Sequence, residues 1–436
     1  MNVHILSDTP RGASAYSKIA RNLALKLEER GHNITITGFL NGYENFKGIN
    51  VLPLATPFTH SQVQFLNNLS SGKAEVLICI HEAHSDYNIY SKLFSPTFFY
   101  VPVEGEGIPE HMVSDLSSET IKSIVTMSEI GKKELLKEGI ESKVIYPGYD
   151  PEIFKKSSEQ RCKLSMDTYR QMQSAEKLCE RGCFKCSGLK NCEHFEPERI
   201  LINIAGKEFS GSLASLKSIK ENLGAEHVIG CVANNVGLRK RIERLIEAFS
   251  RMETKHVLLH LHSLPLALRG INLFRISKKF NVLDRVVFSY GDTVYGISDY
   301  GMNTLYNYFD FLATASSYEG FGMPVLEGMA SGKPHTAPRC GSFPELLGEN
   351  EERGLLASIA TSSMDADGIT RSLVDIESLS EQMDMLCSDK NLRNKLGNAG
   401  EEWVKQFTWD NIAEQWDALL LSESVVREHP VCGGVK

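Results

Sequence analysis

Along most of the chain, short apolar runs alternate with longer stretches whose apolar residues return every three to four positions. Residues 2–7 predict a first strand, and a turn follows at Pro10-Arg11-Gly12. Tyr16, Ile19, Ala20, Leu23 and Leu27 then share one face of a helix that stops at Gly31. Further strands are predicted at 33–39, 76–80, 97–101, 124–127 and 143–146. Strands alternating with helices imply a parallel, doubly wound sheet, which binds its ligand off the carboxyl ends of the strands.

The pattern breaks after Phe154. Residues 155–199 are polar and rich in cysteine, with ten Lys and Arg against seven Asp and Glu. Alternation resumes with strands predicted at 228–232, 256–261, 285–288 and 310–315, so a second α/β domain is expected. A closing helix is predicted over 403–421. The expected organisation is a first domain at 1–154, a Cys-rich insertion at 155–199, a second domain at 200–405 and a terminal helix at 406–425.

Composition changes this picture little. A chain of 436 residues exceeds a typical single core, which agrees with two domains. A net charge of −8 argues against a generally nucleic-acid-binding surface. No apolar run approaches the roughly 20 residues that span a bilayer. The first residues lack the layout of a signal peptide, so a cytoplasmic protein is expected. In that setting ten cysteines read as thiols or metal ligands rather than disulfides.

The chemistry concentrates in Ser317-Tyr318-Glu319-Gly320-Phe321-Gly322-Met323-Pro324-Val325-Leu326-Glu327. A strand precedes it, a helix ending at Gly332 follows, and two carboxylates stand eight positions apart. A glycine turn that opens a helix presents backbone N–H groups to an anion. Carboxylates do not bind phosphate, but they accept hydrogen bonds from hydroxyls on either side of it. A nucleotide-sugar carries hydroxyls on both sides of its phosphates.

These residues resemble the E-x7-E motif of retaining glycosyltransferases of the GT-B fold, family 4 (glycosyl transferases group 1). The similarity extends to Ser128-Glu129 after a strand, to Ile145-Tyr146-Pro147-Gly148-Tyr149-Asp150, to Arg239-Lys240, to Ala330-Ser331-Gly332-Lys333-Pro334 and to Phe343-Pro344-Glu345-Leu346. It implies two Rossmann-like domains around a cleft, with the terminal helix crossing back to the first domain near 409–420. It also implies a UDP-, GDP- or ADP-linked sugar donor and an unidentified acceptor; the Cys-rich insertion makes a macromolecule one candidate.

By this resemblance Glu319 contacts the transferred sugar, and Glu327 holds the ribose hydroxyls. Gly320, Phe321, Gly322, Val325 and Leu326 line the sugar-donor site, and Arg239 and Lys240 clamp the diphosphate leaving group. The Gly12 loop, with Arg11 and Ser14, faces the phosphates from the first domain. His81-Glu82 and Glu104-Gly105-Glu106 follow strands and are candidates to reach the anomeric carbon or the acceptor; Glu104 is the catalytic candidate among them. Many related proteins carry an Arg where this chain has Asn234-Asn235, a departure that bears on the clamp. No cofactor is implied for sugar transfer. A phosphorylase would need a pyridoxal-phosphate lysine signature, which is not seen. A GT-B epimerase, or a non-catalytic scaffold of the same fold, stays open.

Cys179, Cys183, Cys186 and Cys192 form C-x3-C-x2-C-x5-C, with Cys162 upstream and His194 just beyond. Thiolates so spaced suit structural zinc or an iron–sulfur cluster. The segment has too few apolar residues for a core of its own, and a bound metal would order it.

Overall fold

A computed structural model describes residues 1–38, 44–54, 58–81, 92–94, 96–157, 199–212, 215–292 and 296–424. The Cys-rich positions Cys162, Cys179, Cys183, Cys186, Cys192 and His194 lie outside the described residues, as does Glu82.

The first domain is built on β1 (Asn2–Leu6), β2 (Asn33–Gly38), β3 (Glu44–Phe46), β4 (Ile49–Pro53), β5 (Val76–Ile80), β6 (Thr97–Val101), β7 (Ile121–Thr126) and β8 (Lys143–Val144). Their order is β3-β4-β2-β1-β5-β6-β7-β8, parallel throughout except for the β3–β4 pair. β5 and β6 are buried at every residue, as expected of strands covered on both faces. The predicted helix runs over Ala15–Glu29. Ser14 caps it by accepting from Ser17 N at 3.0 Å.

The second domain holds β9 (Arg199–Ile204), β10 (Lys207–Ser212), β11 (His227–Val232), β12 (Val257–His262), β13 (Val286–Tyr290), β14 (Phe311–Ala313), β15 (His335–Pro338) and β16 (Leu355–Ala357). Their order is β10-β9-β13-β12-β11-β14-β15-β16. The run from β13 to β16 is parallel. β9 and β10 form an antiparallel hairpin that joins the sheet edge through β13. Ala205 and Gly206 at its tip have φ 53° and 81°, the left-handed geometry of a two-residue hairpin turn. A separate two-stranded sheet is formed by β17 (Ile359–Met364) and β18 (Thr370–Val374). Together the two sheets are the two Rossmann-like α/β domains expected of the GT-B fold.

The predicted helix over 403–421 is two elements. One helix, Lys390–Val404, stops, and another, Trp409–Ser424, begins after a short 3-10 turn. The break lets the chain turn back to the first domain. Tyr149 N donates to Phe407 O at 2.9 Å, and Trp409 N donates to Tyr149 O at 3.1 Å. A Cβ at Gly148 would lie 2.8 Å from the Trp409 ring, so the close approach needs glycine. The last helix packs along Ala15–Glu29, with Lys26 against Asp410 at 3.0 Å and His32 against Asp417 at 2.8 Å. Tyr146 sits between Phe321 and Phe407 at ring distances of 5.8 and 4.9 Å, so one apolar cluster joins the two domains.

Candidate functional site

Gly322 has φ 102° and caps the helix Met323–Ala330, with Pro324 in its first turn. The turn aims the start of this helix at the first domain. A Cβ on Gly320 would come within 2.8 Å of Pro102 Cβ and 3.1 Å of Val103 N. Glycine at 320 therefore answers to a first-domain loop. The Phe321 ring is buried in the interdomain cluster, and the Val325 and Leu326 side chains are buried as well. The Val325 and Leu326 amides already donate to Gly322 O at 2.9 and 3.3 Å. Both residues thus pack beneath the turn, with their amides engaged in the helix.

Glu319 is only 9% exposed and fully partnered. Lys240 Nζ reaches it at 2.5 Å, Arg239 Nη1 at 2.7 Å and Ser316 Oγ at 2.7 Å. Burial pushes the carboxyl pKa up, but Arg239 and Lys240 outweigh burial and hold it at about 2. The Arg239 backbone is fixed in turn, its carbonyl accepting from Ser317 N at 2.8 Å. Arg241, with φ 47°, caps the helix Ile242–Arg251, so the basic run precedes that helix rather than riding on it.

Arg239 also crosses the cleft, its Nη2 lying 2.9 Å from Glu104 Oε1 of the first domain. Two cations thus stand among two carboxylates, Glu319 and Glu104, and the group is neutral by count. A cavity of about 30 Å³ beside Lys240 and Glu319 has room for water and not for a sugar.

Glu327, 2% exposed, is also in use. Lys18 Nζ of the first domain donates to Oε1 at 2.6 Å, and Tyr306 hydroxyl donates to Oε2 at 2.8 Å. Asp299 extends the group, 3.4 Å from Lys18 and 2.5 Å from Arg21. Burial works to lower the Lys18 pKa, yet Glu327 and Asp299 raise it, so the lysine is a held cation. His262, at the end of β12, is lowered to about 4 by burial and by Lys18, and it bonds Ser289 Oγ at 3.0 Å.

On the first-domain wall, Gly12 N donates to Thr9 O at 3.0 Å, and a Cβ there would collide with Ser17. Ala13 lies across from Gly296, where a Cβ would come within 2.6 Å of its own. Arg11 points elsewhere, pairing with Glu44. The His81 ring lies 4.7 Å from the Tyr16 ring, with Nε2 3.8 Å from Asp8. Glu345 spans the domains differently: its carboxylate accepts from Glu129 N at 2.9 Å and Ile130 N at 3.4 Å and bonds Tyr146, capping a first-domain helix.

The structure thus brings Glu319, Arg239, Lys240 and Glu104 together, and places Glu327 in a second cluster. Sequence reasoning missed Lys18, Arg21, Asp299, Tyr306 and Ser316. One signal was present: Lys18 and Arg21 stand three apart on a helix with no acid in its first turn. Such a like-charge pair needs anions from outside. Among the described residues no cluster of His, Cys, Asp and Glu is placed to hold a metal ion, and no helix is long and apolar enough to cross a membrane.

Comparison with known proteins bears on the fold and the family. The MMP alpha-(1->4)-mannosyltransferase of Mycolicibacterium hassiacum is 32% identical over 124 residues, 28% of this chain and 27% of that protein. The chain spans about a quarter of the length of the first curated relatives it matches. Among solved structures, sucrose-phosphate synthase from Thermosynechococcus elongatus aligns with a TM-score of 0.68 at 16% identity, over 98% of this chain and 99% of that one. Anabaena Alr3699/HepE in complex with UDP and glucose aligns with a TM-score of 0.66 at 15% identity, over 97% and 100%. Residues 216–403 match the family Glycosyl transferases group 1, and the chain as a whole has the two-domain GT-B fold of its structural neighbours.

Proposed function

We propose that the protein is a glycosyltransferase that moves a sugar from a nucleotide-sugar to an acceptor hydroxyl with retention of anomeric configuration. The observation that carries this reading is the Arg239–Lys240–Glu319 cluster beside a helix start, closed across the cleft by Glu104. Two fixed cations at such a place stabilise the negative charge that builds on a departing diphosphate. The cluster is neutral with Glu104 in place, so an arriving diphosphate exchanges with the Glu104 carboxylate at Arg239. In the same way, ribose hydroxyls exchange with Lys18 at Glu327. The complex of HepE with UDP and glucose, a neighbour of the same fold, supports a nucleotide-sugar as the class of donor.

Retention follows if the leaving phosphate oxygen takes the proton of the incoming hydroxyl on the same face. In this reading Glu104, which pairs with Arg239, belongs to the charge cluster and is not needed as a base. NMR of the first-formed product decides this point: the anomeric configuration of the donor is expected in the product, and inversion contradicts the reading.

We propose further that the cysteines at 179, 183, 186 and 192 hold a structural metal, zinc before an iron–sulfur cluster. Elemental analysis of purified protein is expected to give one zinc per chain. Absorption near 400 nm would point to the cluster, and neither signal would leave the thiols without metal.

A further inference from the structure

The β17–β18 hairpin leaves the second domain and ends on the first. Residues 360–368 are exposed, and the hairpin belongs to neither large sheet. An isolated two-stranded hairpin is marginal in water, so its docking contacts decide its position. On its own domain, Ser372 N donates to Ser317 O at 3.1 Å, directly before the Glu319 turn. Across the cleft, Thr370 and Glu106 exchange both backbone hydrogen bonds at 2.9 Å. Arg371 Nε donates to the Glu104 carbonyl at 3.1 Å, while its Nη1 pairs with Asp365 at the other side of the hairpin. Gly105 is buried beneath Ile369, and a Cβ at 105 would collide with the Ile369 side chain. The backbone of the 104–107 loop is thereby held from the second domain, while the Glu104 carboxylate stays on Arg239.

We propose that the hairpin is a strap and Arg371 a positioning residue, which fixes the Glu104 backbone so that only its carboxylate moves when the diphosphate arrives. The role of Glu104 rests on the proposed function; the docking of the strap does not. A group beside the reacting atoms that is displaced by about 1 Å loses roughly 100-fold in rate, so a freed loop is expected to act on turnover more than on nucleotide binding.

Two measurements on the full-length chain test this. In the first, Gly105→Cys with Ile369→Cys is oxidised under mild conditions. A Cβ at 105 would stand 3.4 Å from Ile369 Cβ, close to disulfide spacing. Rapid disulfide formation in the folded protein is expected, and its absence overturns the docked strap. In the second, Arg371→Ala is compared with wild type for hydrolysis of the nucleotide-sugar and for binding of UDP, GDP and ADP. kcat is expected to fall about 10–100-fold with the nucleotide Kd within about threefold. Added to Glu104→Gln, Arg371→Ala is expected to cost nothing more. Unchanged kcat, or a loss that multiplies with that of Glu104→Gln, overturns the positioning role. A wild type that turns over no nucleotide-sugar overturns the proposed function instead, and the disulfide still decides whether the strap is docked.

Discussion

The two walls of the cleft are built differently. The second-domain wall comes from two short stretches, 316–327 and 239–240, packed so that Glu319, Arg239 and Lys240 partner one another. The first-domain wall is made of single side chains on separate elements: Lys18 on a helix, Glu104 on a loop and His81 at a strand end. The two walls satisfy one another through Arg239–Glu104 and Lys18–Glu327. The sugar donor is therefore expected to compete with the first domain for groups that the second domain holds still.

The largest effect that sharpens this contrast is expected at Glu319. Glu319→Gln keeps the shape and removes the charge, and should lower kcat for sugar-donor turnover about 100- to 1000-fold, the cost of losing a preorganised electrostatic group. Steady-state kinetics on one active nucleotide-sugar checks it; a loss under tenfold contradicts the central place of this carboxylate. Glu319→Ala also leaves Arg239 and Lys240 short of a partner. It is expected to cost about 2–3 kcal/mol in urea unfolding, less than a fully buried ion pair would, because both cations are about one-fifth exposed.

Glu327 comes next. If it accepts from the ribose hydroxyls, Glu327→Ala weakens nucleoside diphosphate binding about 10- to 100-fold, one or two charge-assisted hydrogen bonds. The 2′-deoxy nucleotide should bind more weakly than the ribonucleotide to wild type and equally to the variant. Equal binding of the two nucleotides to wild type in calorimetry breaks the ribose assignment.

Acid stability separates the walls in another way. Glu319 is held at about 2 against an ordinary 4.5, so its folded pKa lies below its unfolded one. Its contribution is fully present above about 4.5 and is lost as pH falls through about 2. The stability gap between wild type and Glu319→Gln should therefore narrow on acidification from pH 5 to pH 2. A gap that stays constant over this window means that the ion pairs do not stabilise the fold. The smallest effect is expected at Glu345. Glu345→Ala should cost about 1 kcal/mol, the loss of a helix cap, and leave kcat within about threefold, as thermal melting and kinetics can show.

Legibility followed the same division. Glu319, Arg239 and Lys240 stood out because the glycine turn, the acids and the basic run lie in short contiguous stretches, and the structure packs those stretches together. The parallel strands were readable as apolar runs such as 76–80 and 97–101. Tyr306, and the partner of Lys18, were not readable, because each bonds a carboxylate on a separate element, and Lys18 and Glu327 stand on different domains. The β17–β18 hairpin was hidden for a related reason: the residues of β17 are nearly all exposed and show no strand periodicity, and backbone contacts with 104–106 hold the hairpin in place. The glycine turn at 320–322 was legible, but the constraint on one of its residues was not. Gly320 is needed where Pro102 and Val103 approach, a contact that sequence spacing does not encode.

The most direct test of a sugar-donor cleft is turnover of a panel of UDP-, GDP- and ADP-linked sugars by wild type and Glu319→Gln side by side. Wild type is expected to release nucleoside diphosphate from at least one of them, with the variant losing nearly all of that rate. No turnover and no nucleotide binding across the whole panel would contradict the account.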